Sequence, residues 1–347
     1  MAENWAANWL GQHLVCPRDQ KALRAEGQNL ICAGGHGYPV VEGVPVMLLD
    51  DVAQTIGVAA DSLREARIQP HADSWYVDAI PCNPQEREMI RRQIAAYQTG
   101  LVDPVVQSVL NATNGNLYRG ALGKLREYPI PEIRLPRGNG ETMLDIGCNW
   151  GRWCAAASRK GYRAVGIDPA LGSVLAAKRM CNKLGLTPAF VVGDARFLPF
   201  AASSFDRVFS YSVLQHFSKE NARQAIGEAA RVLRPGGESM IQMANMLGVR
   251  SMQHQVMRGF REPRDFDVRY WTPAELRRCF QEIVGDSRIS VDGYFGLGIQ
   301  RSDLPLMPAR YRAVIRASDI LRKISEKVPA ISWAADSLYI HSRKASN

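Results

Sequence analysis

Three carboxylates close three short apolar runs: Asp145 after Met143-Leu144, Asp168 after Gly166-Ile167, and Asp194 after Val192-Gly193. Between the first two lies a glycine-bearing turn, Gly147-Cys148-Asn149-Trp150-Gly151. An apolar strand that bends through glycines into a helix opens a ligand crevice at its carboxyl end. Gly147 lets the backbone approach the ligand, and Gly151 lets the helix start pack close to the strand. Asp145 beside that turn would repel the pyrophosphate of a nicotinamide dinucleotide. It suits an amino group, or the charge of an amino-acid-bearing sulfonium. Asp168 comes about twenty residues later, where a carboxylate binds both ribose hydroxyls. Asp194 can accept from an adenine amino group. A single Asp more often caps a helix or a turn; three in the same relation to three successive strands favour one nucleoside ligand.

The elements that would position them alternate. Strands are expected at 143–146, 164–167, 189–192, 205–211 and 239–243, and helices at 152–160, 171–184 and 219–233, the last ending at Arg234-Pro235-Gly236-Gly237. That alternation predicts a doubly wound, mostly parallel α/β sheet with helices on both faces. Residues 1–55 read as a small β-rich domain and 56–140 as a helical connector and lid. Residues 141–250 read as the core, and 251–347 as an extension completing the sheet and acceptor pocket, with a helix at 309–327 and a last strand at 337–342.

The run from Leu144 to Gly237 resembles the class I S-adenosylmethionine (SAM)-dependent methyltransferases, in the branch that includes the ubiquinone and menaquinone biosynthesis methyltransferases. The matching motifs are LDIGCNWGRW, VGIDPA, GDARFLPF, FDRVFSYSVLQHF and VLRPGG. The resemblance implies SAM as cofactor, with Asp145, Gly147 and Gly151 at its methionine moiety, Asp168 at the ribose, and Asp194 and Ala195 at the adenine. Cys148, Asn149, Pro169 and Ser210 complete the expected cofactor set. Asn149 stands where the family has glycine; Asn best tolerates a left-handed backbone among non-glycine residues, so the turn should survive.

A sulfonium is already a strong methyl donor, and alignment of the acceptor supplies much of the rate. His216, in Val213-Leu214-Gln215-His216-Phe217, is the expected base for an oxygen or nitrogen acceptor. The alternative is a histidine that only orients its loop. Tyr211 and Gln215 are expected near the acceptor.

Near the N-terminus, Val15-Cys16-Pro17-Arg18-Asp19, Ile31-Cys32 through His36-Gly37-Tyr38-Pro39-Val40, and Gly43-Val44-Pro45-Val46 resemble the Trm112-like small zinc-ribbon family. The resemblance implies a zinc site on Cys16, Asp19, Cys32 and His36, although Asp19 and His36 depart from the family's paired cysteines. All four are competent zinc ligands; the other reading is a decayed site held by apolar packing.

The chain has 347 residues, 46% apolar and 22% charged, which fits a folded globular protein. Seven scattered cysteines argue against a disulfide framework. No apolar run is long enough to span a bilayer and no secretory signal is read, so a cytoplasmic location is expected. The net charge of +9 and the arginines between Arg250 and Arg322 suit an anionic partner or a solvated surface. The expected acceptor is a small molecule or saccharide, methylated on oxygen. An RNA or translation-factor methyltransferase is the second reading and a SAM-binding regulatory protein the third, with a nicotinamide oxidoreductase the most distant.

Overall fold

A computed structural model describes residues 5–54, 56–68, 71–98, 100–113, 123, 125–296 and 300–346. Part of the expected lid, 114–122 and 124, and residues 297–299 lie outside the described residues. The chain divides into two compact units, Met1–Ser204 and Phe205–Asn347.

The first unit opens with helix α1 (Trp5–His13) and four short strands, β1 (Leu23–Glu26), β2 (Asn29–Cys32), β3 (Gly37–Val41) and β4 (Val44–Pro45). These form an antiparallel sheet in sequence order. Helices α2 (Val58–Ala66), α3 (Pro84–Ala95) and α4 (Pro104–Thr113) follow. Asn83 starts α3 with a reciprocal capping box to Glu86, and Pro84 occupies the first turn. Then come β5 (Thr142–Ile146), α5 (Arg152–Arg159), β6 (Arg163–Asp168), α6 (Leu171–Lys183) and β7 (Ala189–Val192). β5, β6 and β7 are neighbours and parallel. They are buried almost throughout, as parallel strands covered on both faces must be.

The small sheet is seated on this parallel sheet. Val46 bridges Val192 in parallel, and the Met47 amide donates to the Val192 carbonyl at 2.7 Å. The Val15 amide donates to Pro199 O at 2.9 Å, and Trp9 packs on Phe200. The β7 edge, otherwise a row of unpaired backbone groups, is thereby capped.

The second unit contains β8 (Phe205–Ser210), α7 (Lys219–Val232), β9 (Leu233–Ala244), α8 (Val249–Met257), α9 (Pro273–Ile283), β10 (Gly285–Gly293), α10 (Ala309–Ser325) and β11 (Ser337–Lys344). β8 and β9 are parallel, while β11 lies antiparallel between β9 and β10. The protein thus has a mostly parallel α/β sheet with flanking helices, plus a small N-terminal antiparallel sheet. Two expectations change. Arg234-Pro235-Gly236-Gly237 is the start of β9, not a turn before it; the pairing with β8 shifts register there, which accommodates the proline. Helix α8 was not expected at all.

Candidate functional site

The tips of β5, β6 and β7 bring the three carboxylates to adjacent parallel strands of the first unit. Asp145 pairs with Gly166, and Asp168 one residue past Ile167 pairs with Val192. The turn after β5 is held to β6 by its backbone: Gly147 N and Cys148 N both donate to Ile167 O, at 2.8 and 3.0 Å. Gly147, Asn149 and Gly151 have φ of 74°, 47° and 79°. Asn149 therefore occupies the left-handed region as expected, and its side-chain oxygen accepts from Trp150 N at 2.7 Å. Gly151 is needed for a different neighbour than the sequence suggested. A Cβ there would lie 2.8 Å from Ala177 Cβ, so the close approach is to α6 rather than to the strand.

Asp168 organises the turn. One carboxylate oxygen accepts from Asn149 N and the other from Ala170 N, both at 3.0 Å, and its carbonyl accepts from Gly193 N at 3.1 Å. One residue, through its side chain and its carbonyl, thus ties together the ends of all three strands. Burial pushes its carboxyl up to about 6. Asp145 is more deeply enclosed. Cys154 donates to its Oδ2 at 3.2 Å, while its Oδ1 is buried with no hydrogen-bond partner. Burial, with a smaller contribution from the nearby charge of Asp168, raises it to about 7. An orphaned carboxylate oxygen at a glycine turn fits a cationic or amino-bearing ligand.

Asp194 is differently placed. Its carboxylate is gripped by Arg196, with Nη2 to Oδ2 at 2.6 Å and Nε at 3.1 Å from both oxygens, and it also accepts from Arg196 N. Arg196 in turn donates to Ala53 O at 2.8 Å, so this pair links the end of β7 to the chain beyond the small sheet. Ala195 is buried beside it. Cys148 faces the interior: Gly166 leaves room for the thiols of Cys148 and Cys154, and burial raises the Cys148 thiol to about 11. Its thiol donates within the turn to Asn149 O at 3.9 Å. Pro169 lies half-buried between the two residues that Asp168 organises.

Cys16, Asp19, Cys32 and His36 converge in the small sheet, with one ligand atom from each within 4.8 Å of all the others. His36 Nδ1 is 3.5 Å from Cys16 Sγ, 3.3 Å from Cys32 Sγ and 3.6 Å from Asp19 Oδ2, and Cys32 Sγ is 3.7 Å from Asp19 Oδ2. Tetrahedral zinc with bonds of about 2.3 Å to sulfur and 2.0–2.1 Å to nitrogen or oxygen sets ligand–ligand edges of about 3.3–3.8 Å. The four edges above, 3.3–3.7 Å, have that size. Around the ligands, Gly34 N donates to Cys32 Sγ at 3.3 Å, and Tyr38 Oη is 3.1 Å from Cys16 Sγ. These are the outer contacts that orient and stabilise thiolate ligands. Gly34 is required: a Cβ there would sit 2.6 Å from Asp19 Oδ2.

In the second unit, Ser210 is fully buried at the end of β8. His216 follows on a short 3₁₀ turn, Leu214–His216. Its Nδ1 donates to Phe266 O at 2.8 Å, and its ring stacks on Phe266 at 3.9 Å. Arg269 fastens the same loop, donating from its backbone to Gln215 O and from its guanidinium to His216 O. Burial lowers the His216 pKa below 6.5, so the ring is neutral, with Nε2 carrying the lone pair. Tyr211, which the sequence placed near the acceptor, belongs to a polar network. It donates to Asp292 Oδ2 at 3.0 Å and accepts from Gln300 at 2.8 Å, and Ser337 also donates to Asp292 at 2.7 Å. Asp292, Gln300 and Ser337 went unrecognised, because they lie far along the chain in segments without a motif.

Residues 143–237 match the methyltransferase domain family. The chain is 34% identical over 111 residues to methyltransferase GfsG of Streptomyces halstedii, covering 31% of this chain and 39% of that protein. It is 38% identical over 104 residues to the probable tRNA methyltransferase 9B of Mus musculus, covering 29% of this chain and 21% of that protein. Among solved structures, a complex of the Haloferax volcanii Trm112 methyltransferase activator with a methyltransferase aligns at a TM-score of 0.43 and 21% identity, covering 69% of this chain and 94% of that one. The chain spans about half or less of the length of the first curated relatives it matches. It carries a methyltransferase domain of the SAM-dependent class, built on the strands that bear the carboxylate cluster.

The two raised carboxylates make a pH prediction. A cation seated against Asp145 favours its ionised form, so SAM binding releases protons wherever Asp145 and Asp168 are protonated in the free protein. SAM affinity is therefore expected to rise with pH through the interval from about 6 to about 7, by up to about tenfold per unit for each proton released. Stability of the free protein runs the other way. Both folded-state values lie above the ordinary 3.8, so this contribution is present below pH 3.8 and is lost as pH climbs to about 7. Calorimetric titration at several pH values, repeated with Asp145→Asn, checks the first sign, and denaturant unfolding of the free protein over the same range checks the second. A flat pH profile of affinity rejects the assignment of these carboxylates.

Proposed function

We propose that the protein transfers a methyl group from SAM to an oxygen of a small-molecule or saccharide acceptor in the cytoplasm, leaving S-adenosylhomocysteine. The observation that carries this reading is the orphaned, buried oxygen of Asp145 beside the glycine turn that Asp168 organises. When bound, SAM supplies an electrophilic methyl group. In this reading Asp145, Gly147 and Gly151 hold its amino-acid end, with Cys148 and Asn149 contributing turn backbone. Asp168 and Pro169 hold the ribose, and Ala195 the adenine. Asp194 is assigned a buttressing role through Arg196 in place of a direct adenine contact. Ser210 closes the cofactor set at the end of β8.

His216 is assigned the acceptor's proton. Donation from Nδ1 to Phe266 O fixes the tautomer that leaves Nε2 basic, and burial keeps the ring neutral near pH 7. His216→Ala is expected to lower kcat by about 10²–10⁴-fold with little change in SAM affinity. The wild-type rate should fall on the acid side, below pH 6.5, as the ring protonates. A purely orienting histidine would leave that acid limb in place when replaced by Gln.

The N-terminal sheet is assigned as a fused Trm112-like module that holds zinc through Cys16, Asp19, Cys32 and His36. Its seat along β7 supports a stabilising role for the methyltransferase domain. Incubating the purified chain with radiolabelled SAM and fractionated lysate tests the acceptor. Label in small molecules or glycan supports the proposal. Label in RNA favours the second reading, which the likeness to a probable tRNA methyltransferase supports. SAM binding without transfer to any fraction favours a regulatory protein.

A further inference from the structure

Helix α8 is inside out. Its inward residues are Ser251 and Gln255, both buried, with the Ser251 amide donating to Asp336 Oδ1 at 2.7 Å and the Gln255 amide group donating to Met246 O and Ser251 O. Its apolar residues face water: Val249 is 59% exposed, Val256 58%, Met257 74%, and Phe260 just beyond it 65%. A soluble helix places these the other way round.

A second surface adjoins it in the same unit. α10 turns Ile320 and Ile324 outward, with Val328 following on, and the next turn leaves Trp333 55% exposed. Trp333 O accepts from Asn245 Nδ2 at 2.9 Å, and Gly248, which caps α8, packs directly on Asp336, where a Cβ would lie 2.5 Å away. The start of α8 and the end of α10 therefore both border the turn that carries Trp333. Of the thirteen large apolar side chains that stand exposed among the described residues, eleven lie between Leu247 and Trp333. Such concentration is a patch rather than ordinary scatter.

The border of the patch is net basic, with Glu262, Asp265, Asp267, Asp319 and Glu326 outnumbered by Arg and Lys. Arg250, Arg261 and Arg264 accompany α8, and Arg312, Arg316 and Lys323 line the outer side of α10. Lys323 pairs with Asp319, whereas the other five form no ion pair among the described residues. An apolar strip flanked by Arg and Lys is the pattern of a helix that lies in a membrane interface. No helix of the described residues is long and apolar enough to cross a membrane, so this surface would rest on a bilayer without spanning it.

We propose that α8, α10 and Trp333 form a docking face for an anionic phospholipid bilayer. The apolar side chains enter the headgroup region and the flanking arginines meet lipid phosphate. Charge selects this occupant over a second copy of the chain. A two-fold self-interface sets the same patch against itself and would bring together borders in which basic groups outnumber acids, whereas anionic lipid supplies the missing counter-charge.

The test is co-sedimentation of the full chain with phosphatidylcholine vesicles, with and without about one-third phosphatidylglycerol. Binding is expected to the anionic vesicles and far less to the neutral ones. Val256→Asp with Met257→Asp should weaken it about tenfold or more, with an unchanged melting temperature because both side chains are exposed. Arg312→Glu with Arg316→Glu should reduce anionic-vesicle binding alone, which keeps the test decisive if the first variant folds poorly. Absence of vesicle binding overturns the proposal, as does binding indifferent to both variants. A dimer in light scattering that Val256→Asp/Met257→Asp splits would overturn it too, by making the face a self-interface.

Discussion

Asp168→Ala is expected to weaken SAM binding by about 2 kcal/mol or more, roughly thirty-fold, as read by calorimetric titration. Two losses combine. The ribose hydroxyls lose a charged acceptor, and the amides of Asn149 and Ala170 lose theirs, so the turn is held to β6 only by its backbone bonds to Ile167 O. Asp168→Asn separates the two. Its side-chain oxygen can still accept from one amide while its NH2 faces the other, so it should lose less stability than Asp168→Ala and still bind SAM poorly. SAM binding that survives Asp168→Ala unchanged would remove the basis for placing the cofactor at these strand ends. The comparison with Asp194→Ala is informative, because Asp194 is already occupied by Arg196. Its loss should appear first as a lower melting temperature, through an unpaired buried arginine, and only second in affinity.

The second large effect concerns the metal. The purified chain is expected to hold about one zinc per chain, and Cys32→Ser should remove it and unfold the small sheet. Because ligands that are not preformed in the unfolded chain couple binding to folding, the expected cost is about 3 kcal/mol or more. That appears as an early transition in thermal melting and as metal loss in elemental analysis. A strong chelator should reproduce both in the unaltered protein. Gly34→Ala offers a milder test that replaces no ligand, since its Cβ would crowd Asp19. A chain that takes up no zinc on reconstitution and melts the same with and without chelator would leave the four residues as a packed polar cluster. Since β4 continues onto β7 at Val46 and Val192, loss of the metal should also loosen the edge of the cofactor-bearing sheet.

Much of this was legible in the chain because it depends on short-range chemistry. A strand ending in Asp, a turn with glycine at positive φ and a helix beyond it are set by steric rules acting over a few residues. Asn149 at φ 47° shows the rule working where the residue departs from glycine. The four potential zinc ligands were readable for the same reason, because ligand types and spacing are written locally. What was not legible depends on partners distant in sequence. Arg196 is only two residues from Asp194, yet nothing local says that it will occupy that carboxylate rather than solvent; its other anchor is Ala53 O. The Tyr211–Asp292–Gln300 network joins residues more than eighty apart. Helix α8 escaped notice because its inward face is Ser251 and Gln255, so the apolar periodicity points away from the protein core.

The sequence by itself determined the class of domain, the order of its strands and helices, and the residue types at the strand tips, because burial pattern and turn sterics are properties of neighbouring residues. Only the tertiary structure decided how each carboxylate is used: Asp145 left with an open oxygen, Asp168 binding three strand ends together, and Asp194 held by an arginine. Those differences arise from which donors the fold carries into a water-poor interior, where each polar atom must find a partner or remain available to a ligand.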